Sequence, residues 1–363
     1  MTTTRAGAAA AVRPPRDRGV APARSSSAVL AWALGYGGLR LVWAVGAAPA
    51  FPGSSRDIAA THALVAGLAG AAALVAAAQR RARWSWPFGL AGWAVAGGLL
   101  ATAPMLLLDL VGLVIPGLGL PFDPGSFLTR LGVAGGAVLL GRATLDHRRR
   151  RGPGCPRCGR TAGDRPAAGP PWWAWAGAYA AVAGCLVRLA AQLAVGFDMI
   201  PLTAGPAVLV FEGGFLLAGL LLPLALVHSW GRIWPRWAGP LAGRRVPRWL
   251  VLGPAYVLAT GLVVYFGVGL GQLTVAAVRG EEPGLGLPYA FYWVAMPAYW
   301  IWGLGLGAAA LAYARSTRPP CPHCEPEPRP PALVDRPPRT RPGPPGLIKR
   351  CASGSTPSPT QGS

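Results

Sequence analysis

Apolar residues in this chain fall in runs of about 20, not in the narrow stripes of a soluble helix or the alternation of a half-buried strand. A helix of that length crosses a bilayer. Eight such runs are predicted, over 28–49, 58–78, 86–114, 126–144, 172–197, 207–228, 249–277 and 291–313. Helices satisfy their own backbone polar groups in lipid, so the expected fold is an all-α integral membrane protein with eight transmembrane helices. The first run is too long for the core of a signal peptide, and further spans follow it, so it is read as an uncleaved helix.

Polar connections between the runs alternate in charge. Arginine crowds the N-terminal tail, the loop with Arg80, Arg81 and Arg83, the segment Arg148 to Arg151, the loop with Arg232, Arg236, Arg244, Arg245 and Arg248, and the segment with Arg315 and Arg318. The intervening loops hold only Arg56 and Arg279, beside Asp57, Asp123, Asp198, Glu281 and Glu282. By the positive-inside rule both termini are expected in the cytoplasm, with the chain in the cell membrane.

Composition strengthens this picture. Over 363 residues, 52% are hydrophobic and only 13% are charged, about half the charged share of an ordinary globular domain. The net charge of +21 is almost all arginine, since Lys349 is the only lysine. These arginines flank apolar runs and form no basic domain with interleaved aromatics, so nucleic acid is not an expected partner. The lipid bilayer is. Residues 1–26 and 325–363 are rich in arginine and proline and are expected to be disordered tails. No Walker A loop, dinucleotide-binding glycine pattern, His-Glu-x-x-His or Gly-x-Ser-x-Gly occurs.

Short segments recur in order. Pro116 to Pro121 and Pro283 to Pro288 share Pro-Gly-Leu-Gly-Leu-Pro at an offset of 167 residues. Cys155-Pro156-Arg157-Cys158 recurs as Cys321-Pro322-His323-Cys324 at an offset of 166. Ala31-Trp32-Ala33 with Tyr36 matches Ala174-Trp175-Ala176 with Tyr179 at 143, and Arg40 matches Arg188 at 148. The expected organisation is two parallel four-helix repeats, 27–160 and 172–324, joined by a cytoplasmic linker, 161–171.

Each repeat ends in a Cys-Pro-x-Cys pair. Thiolates separated by two residues suit one edge of a zinc tetrahedron, and the reducing cytosol disfavours disulfides there. Cys155 to Gly159 resembles the knuckles of zinc ribbons and rubredoxin-like sites; the second copy has Glu325 in the glycine position. Cys155, Cys158, Cys321 and Cys324 are therefore candidate ligands of one structural zinc ion joining the repeats. The rivals are two dithiol redox centres and iron in the same tetrahedral sulfur set. Four thiolates leave no open coordination position, so the site is not expected to be catalytic. Cys185 is expected to be a buried inert thiol.

Ionisable groups inside predicted spans are costly and carry a functional hypothesis. They are Arg40, His62, Asp109, Arg130, Arg188 and Glu212. One reading puts them around an outward cavity that holds an anion, with Arg40 and Arg188 as the central pair. The other pairs Asp109 with Arg130 and Glu212 with Arg188 to orient helices. Three functions follow. The first is a non-enzymatic scaffold that binds a cytoplasmic protein partner. The second is a transporter or lipid-handling protein. The third is a membrane thiol oxidoreductase.

Overall fold

A computed structural model describes residues 24–47, 58–120, 122–152, 155, 169–196, 206–234, 236–281, 287–318 and 321. Its helices are α1 (Arg24–Gly46), α2 (Ile58–Arg81), α3 (Trp86–Ala101), α4 (Leu106–Val114), α5 (Pro124–Arg151), α6 (Trp172–Val195), α7 (Pro206–Val227), α8 (Arg248–Arg279) and α9 (Tyr289–Ser316). Among the described residues the only strand-like pairing is a bridge between Ile233 and Arg245.

Six helices are long and apolar enough to cross a membrane: α1, α2, α6, α7, α8 and α9. The stretch predicted as one span over 86–114 is two helices, α3 and α4, bent by 57° at a short break. Pro104 lies in that break and lacks the N–H that a continuous helix would use. Counting the bent pair as one span makes seven. The fourth predicted stretch, 126–144, lies in α5, a 28-residue helix. Arg130 and Arg142 dilute its apolar character, and it does not qualify by composition. These helices are those of a multi-pass membrane protein in contact with lipid. Their outward faces carry Leu34, Val45, Leu74, Leu209 and Val278, all strongly exposed, as lipid-facing positions would be.

Two apolar cores form, one in each half. Val29, Val65, Ala72, Leu99, Val133 and Leu140 close the first, where α1 packs on α2 and α5, and α3 packs on α2 and α5. Ala178, Cys185, Leu226, Leu262, Trp302 and Leu306 close the second, where α6 and α8 pack on α9 and α7 packs on α6 and α9. Small residues set how closely helices approach. A Cβ at Gly177 would lie 2.9 Å from the Gly305 carbonyl oxygen, so α6 and α9 meet backbone to backbone. The halves touch where α3 and α4 meet α8, with Leu107 seated on Gly261.

Candidate functional site

The six predicted intramembrane charges do not gather at one place. They form three clusters, of which the second and third share α5 through the adjacent Arg130 and Thr129.

Arg188 on α6 is buried, and its guanidinium meets Glu212 on α7 at two points. Nη1 donates to Oε2 at 2.9 Å and Nη2 donates to Oε1 at 3.0 Å. Its Nε donates to the Tyr299 hydroxyl on α9 at 2.6 Å. The Phe215 ring lies 4.8 Å from Cζ, within cation–π range. Tyr299 is itself fixed by stacking on Phe266, with centroids 3.9 Å apart. The planar fork of arginine matches a carboxylate at two points, which makes this a strong, oriented contact. It ties α6, α7 and α9 together with no net charge.

Asp109 on α4 and Arg130 on α5 make the second cluster. Arg130 Nη1 donates to both carboxylate oxygens, at 2.6 and 2.5 Å. Asp109 is buried, and the bend between α3 and α4 precedes it. Arg130 keeps 29% of its side chain exposed. At the start of the same helix the Asp123 side chain caps Ser126 N–H at 2.7 Å. The backbone N–H of Ser126 holds the Asp123 carboxyl below the usual range.

Arg40 on α1 is the third cluster and is 6% exposed. Its Nη1 donates to His62 Nδ1 on α2 at 2.6 Å. Its Nε and Nη2 donate to the Tyr36 hydroxyl at 3.0 and 2.7 Å. Tyr36 donates in turn to the Thr129 carbonyl on α5 at 2.5 Å. Trp43 flanks both partners, 5.4 Å from the Arg40 Cζ and 5.4 Å from the His62 ring centroid. A π-turn over Ala33–Gly37 lies just before Arg40 and includes Tyr36.

Sequence reasoning did not assign Tyr36 or Tyr299 as partners of the buried arginines. Tyr36 stands four residues before Arg40, one turn along the same helix face, and that spacing was a usable signal. Tyr299 lies 111 residues from Arg188, and no local pattern joins them. The central pair expected of Arg40 and Arg188 is not formed: each binds partners in its own half.

Of the four candidate zinc ligands, Cys155 and Cys321 are described, and Cys158 and Cys324 lie outside the described residues. Cys155 follows α5 and is half-buried; Cys321 follows α9 and is buried. Among the described residues no three His, Cys, Asp or Glu side chains group as metal ligands. Cys185 is buried within α6 against Gly219.

At the arginine-rich end of the first half, past the stretch 126–144, lies the buried His147. The Trp84 ring is 5.5 Å from it, and Gln79 beside it donates to Thr144 at 3.1 Å. Burial, and then the charge of Arg151, hold the imidazole below its usual range, against a hydrogen bond with Gln79 that raises it.

Comparison with known proteins adds no relative from which a role could be transferred. No family model, no curated protein and no solved structure matches this chain.

Proposed function

We propose that the protein is a non-enzymatic module of the cell membrane, a scaffold or partner-binding subunit with both termini in the cytoplasm. In this reading α3 with α4 is one span and α5 is another, giving eight spans in two parallel four-helix repeats. A structural zinc ion on Cys155, Cys158, Cys321 and Cys324 joins the repeats, and the arginine-rich face with its tails docks a cytoplasmic partner.

The observation that carries this reading is the pairing of charges inside each half. Arg188 is met at two points by Glu212, and Arg130 is met by Asp109. Paired groups orient helices and leave no spare charge for a transported substrate. That favours a structural role for these four residues over a transport path.

Three contacts support the duplication. Arg40 with His62 and Arg188 with Glu212 each join the first helix of a half to its second. Gly37 faces Ala69, and Cys185 faces Gly219, at offsets of 148 and 150 residues. The ring of Tyr36 lies over Gly132 beside Arg40, while Tyr299, which is 167 residues beyond Gly132, reaches Arg188.

Metal content by mass spectrometry on detergent-purified protein tests the staple, beside a Cys155→Ser, Cys321→Ser double variant. About one zinc per chain, lost in the variant, is the expected result. Metal-free protein with four titratable thiols in these pairs would overturn the staple and bring the redox reading forward.

A further inference from the structure

Arg40 and Arg188 occupy matching places on the first helix of each half, but their charges are met differently. Arg188 faces a carboxylate, Glu212. Arg40 faces an imidazole, His62, on the equivalent second helix. The other partners of Arg40 are the neutral Tyr36 hydroxyl and the Thr129 carbonyl. Among the described residues no acid reaches Arg40: Asp109 and Glu212 are both engaged elsewhere. A buried guanidinium in a membrane helix without a counter-charge is costly.

The hydrogen-bond pattern shows what is missing. Arginine can only donate, so His62 Nδ1 accepts, and the imidazole proton lies on Nε2. That Nε2 is buried and has no partner among the described residues. His62 as a whole is 4% exposed. A buried donor one ring away from an unbalanced cation calls for an acceptor with negative charge.

We propose that Arg40 and His62 form a binding site for a singly charged oxyanion, which accepts from His62 Nε2–H and balances Arg40 through the imidazole. Leu39, Leu41 and Val42 are exposed on the other faces of α1, so this turn of the helix meets lipid while Arg40 itself points inward. Arg40 lies six residues from the end of α1 and His62 four residues from the start of α2, or about 9 and 6 Å along their axes. A lipid phosphodiester drawn inward from the helix ends has only that distance to cover. The expected source is therefore an anionic lipid, and a soluble carboxylate is the other source of the same chemistry. The site is unrelated to the cysteines, so the zinc staple can fail and leave it standing.

Thermal unfolding of the full chain in a sugar-headgroup detergent tests it, with phosphatidylglycerol or sodium acetate added against matched sodium chloride. Phosphatidylglycerol at about a hundredfold excess over Kd is expected to raise the midpoint by about 3–6 °C. A rise with acetate alone keeps the site and assigns it to soluble carboxylates. His62→Glu supplies the acid from within, as Glu212 does for Arg188. It is expected to raise the ligand-free midpoint and abolish the anion response. Arg40→Gln removes the charge and is expected to lose the response too, which keeps the test open if His62→Glu folds poorly. No response to either anion in the wild type overturns the site. So does a response of undiminished size in Arg40→Gln.

Discussion

The ring of Tyr36 fills the space that a side chain at position 132 would need. A Cβ built at Gly132 would lie within 2.8 Å of Tyr36 Cζ, and one at Gly136 would collide with Trp32. Aromatics on α1 thus lie in a groove of glycines on α5. Gly132→Leu is expected to push Tyr36 away from Arg40 and destabilise the fold by about 1–3 kcal/mol. Gly135 faces open space on the same helix, so Gly135→Ala should be neutral or slightly stabilising. Thermal unfolding of the two variants side by side decides it; equal losses would mean that α1 and α5 do not pack this way.

Removing one member of the Arg188–Glu212 pair leaves the other buried and alone. Arg188→Gln is expected to cost about 3 kcal/mol or more, while an Arg188→Leu, Glu212→Leu double variant should recover much of that loss. Denaturation in detergent measures both. A double variant no better than the single would show that the pair does not act as a unit.

The Arg130–Asp109 pair is wetter, because Arg130 keeps 29% of its side chain exposed. Its loss should therefore cost less than the loss of Arg188. Exchange of the two residues, Asp109→Arg with Arg130→Asp, is expected to be more stable than either single change. A coupling near zero in this cycle would remove the pair from the account of how α4 is held to α5.

Acid should weaken the first half through His147. Its folded pKa is depressed, so it is neutral in the fold and binds a proton more readily when unfolded. The stability it contributes is present above the ordinary imidazole value of about 6.5 and falls as pH drops below it. Arg151 adds to the effect, and Trp84 gives the imidazolium no acceptor. His147→Gln should flatten the decline in midpoint between about pH 7 and pH 5.5. A decline of the same slope in the variant would assign the acid sensitivity to another group.

The apolar, multi-pass helical character and the pairing of Arg188 with Glu212 were legible because both follow from cost: apolar runs seek lipid, and a charge within them seeks its opposite. The bend at Pro104 was readable only in part. Proline marks a break, but the direction of the chain after it depends on packing against α5 and α8. Register was the least legible feature. The match of Trp32 with Trp175 is the more conspicuous one in the sequence, yet it sets buried Ala33 against exposed Ala176. At 148 residues Ser26, Ala33, Gly37 and Arg40 fall on Ala174, Ala181, Cys185 and Arg188, and all of these are buried. Side-chain identity drifts freely on a lipid-facing surface, whereas the phase of the inward face is held by packing. The partners of Arg40 were hidden for a related reason, since a glycine at 132 gives no hint that a tyrosine from another helix lies on it.

Two cores that close within separate stretches of chain bear on how the protein is made. Residues 24–151 can bury their apolar faces and join Asp109 to Arg130 before α6 leaves the ribosome. Leu107, seated on Gly261 of α8, then waits on the surface of the first half until its socket is synthesised. The first half can therefore close before the second is made, and a chain severed between α5 and α6 should reassemble from two polypeptides made in the same cell.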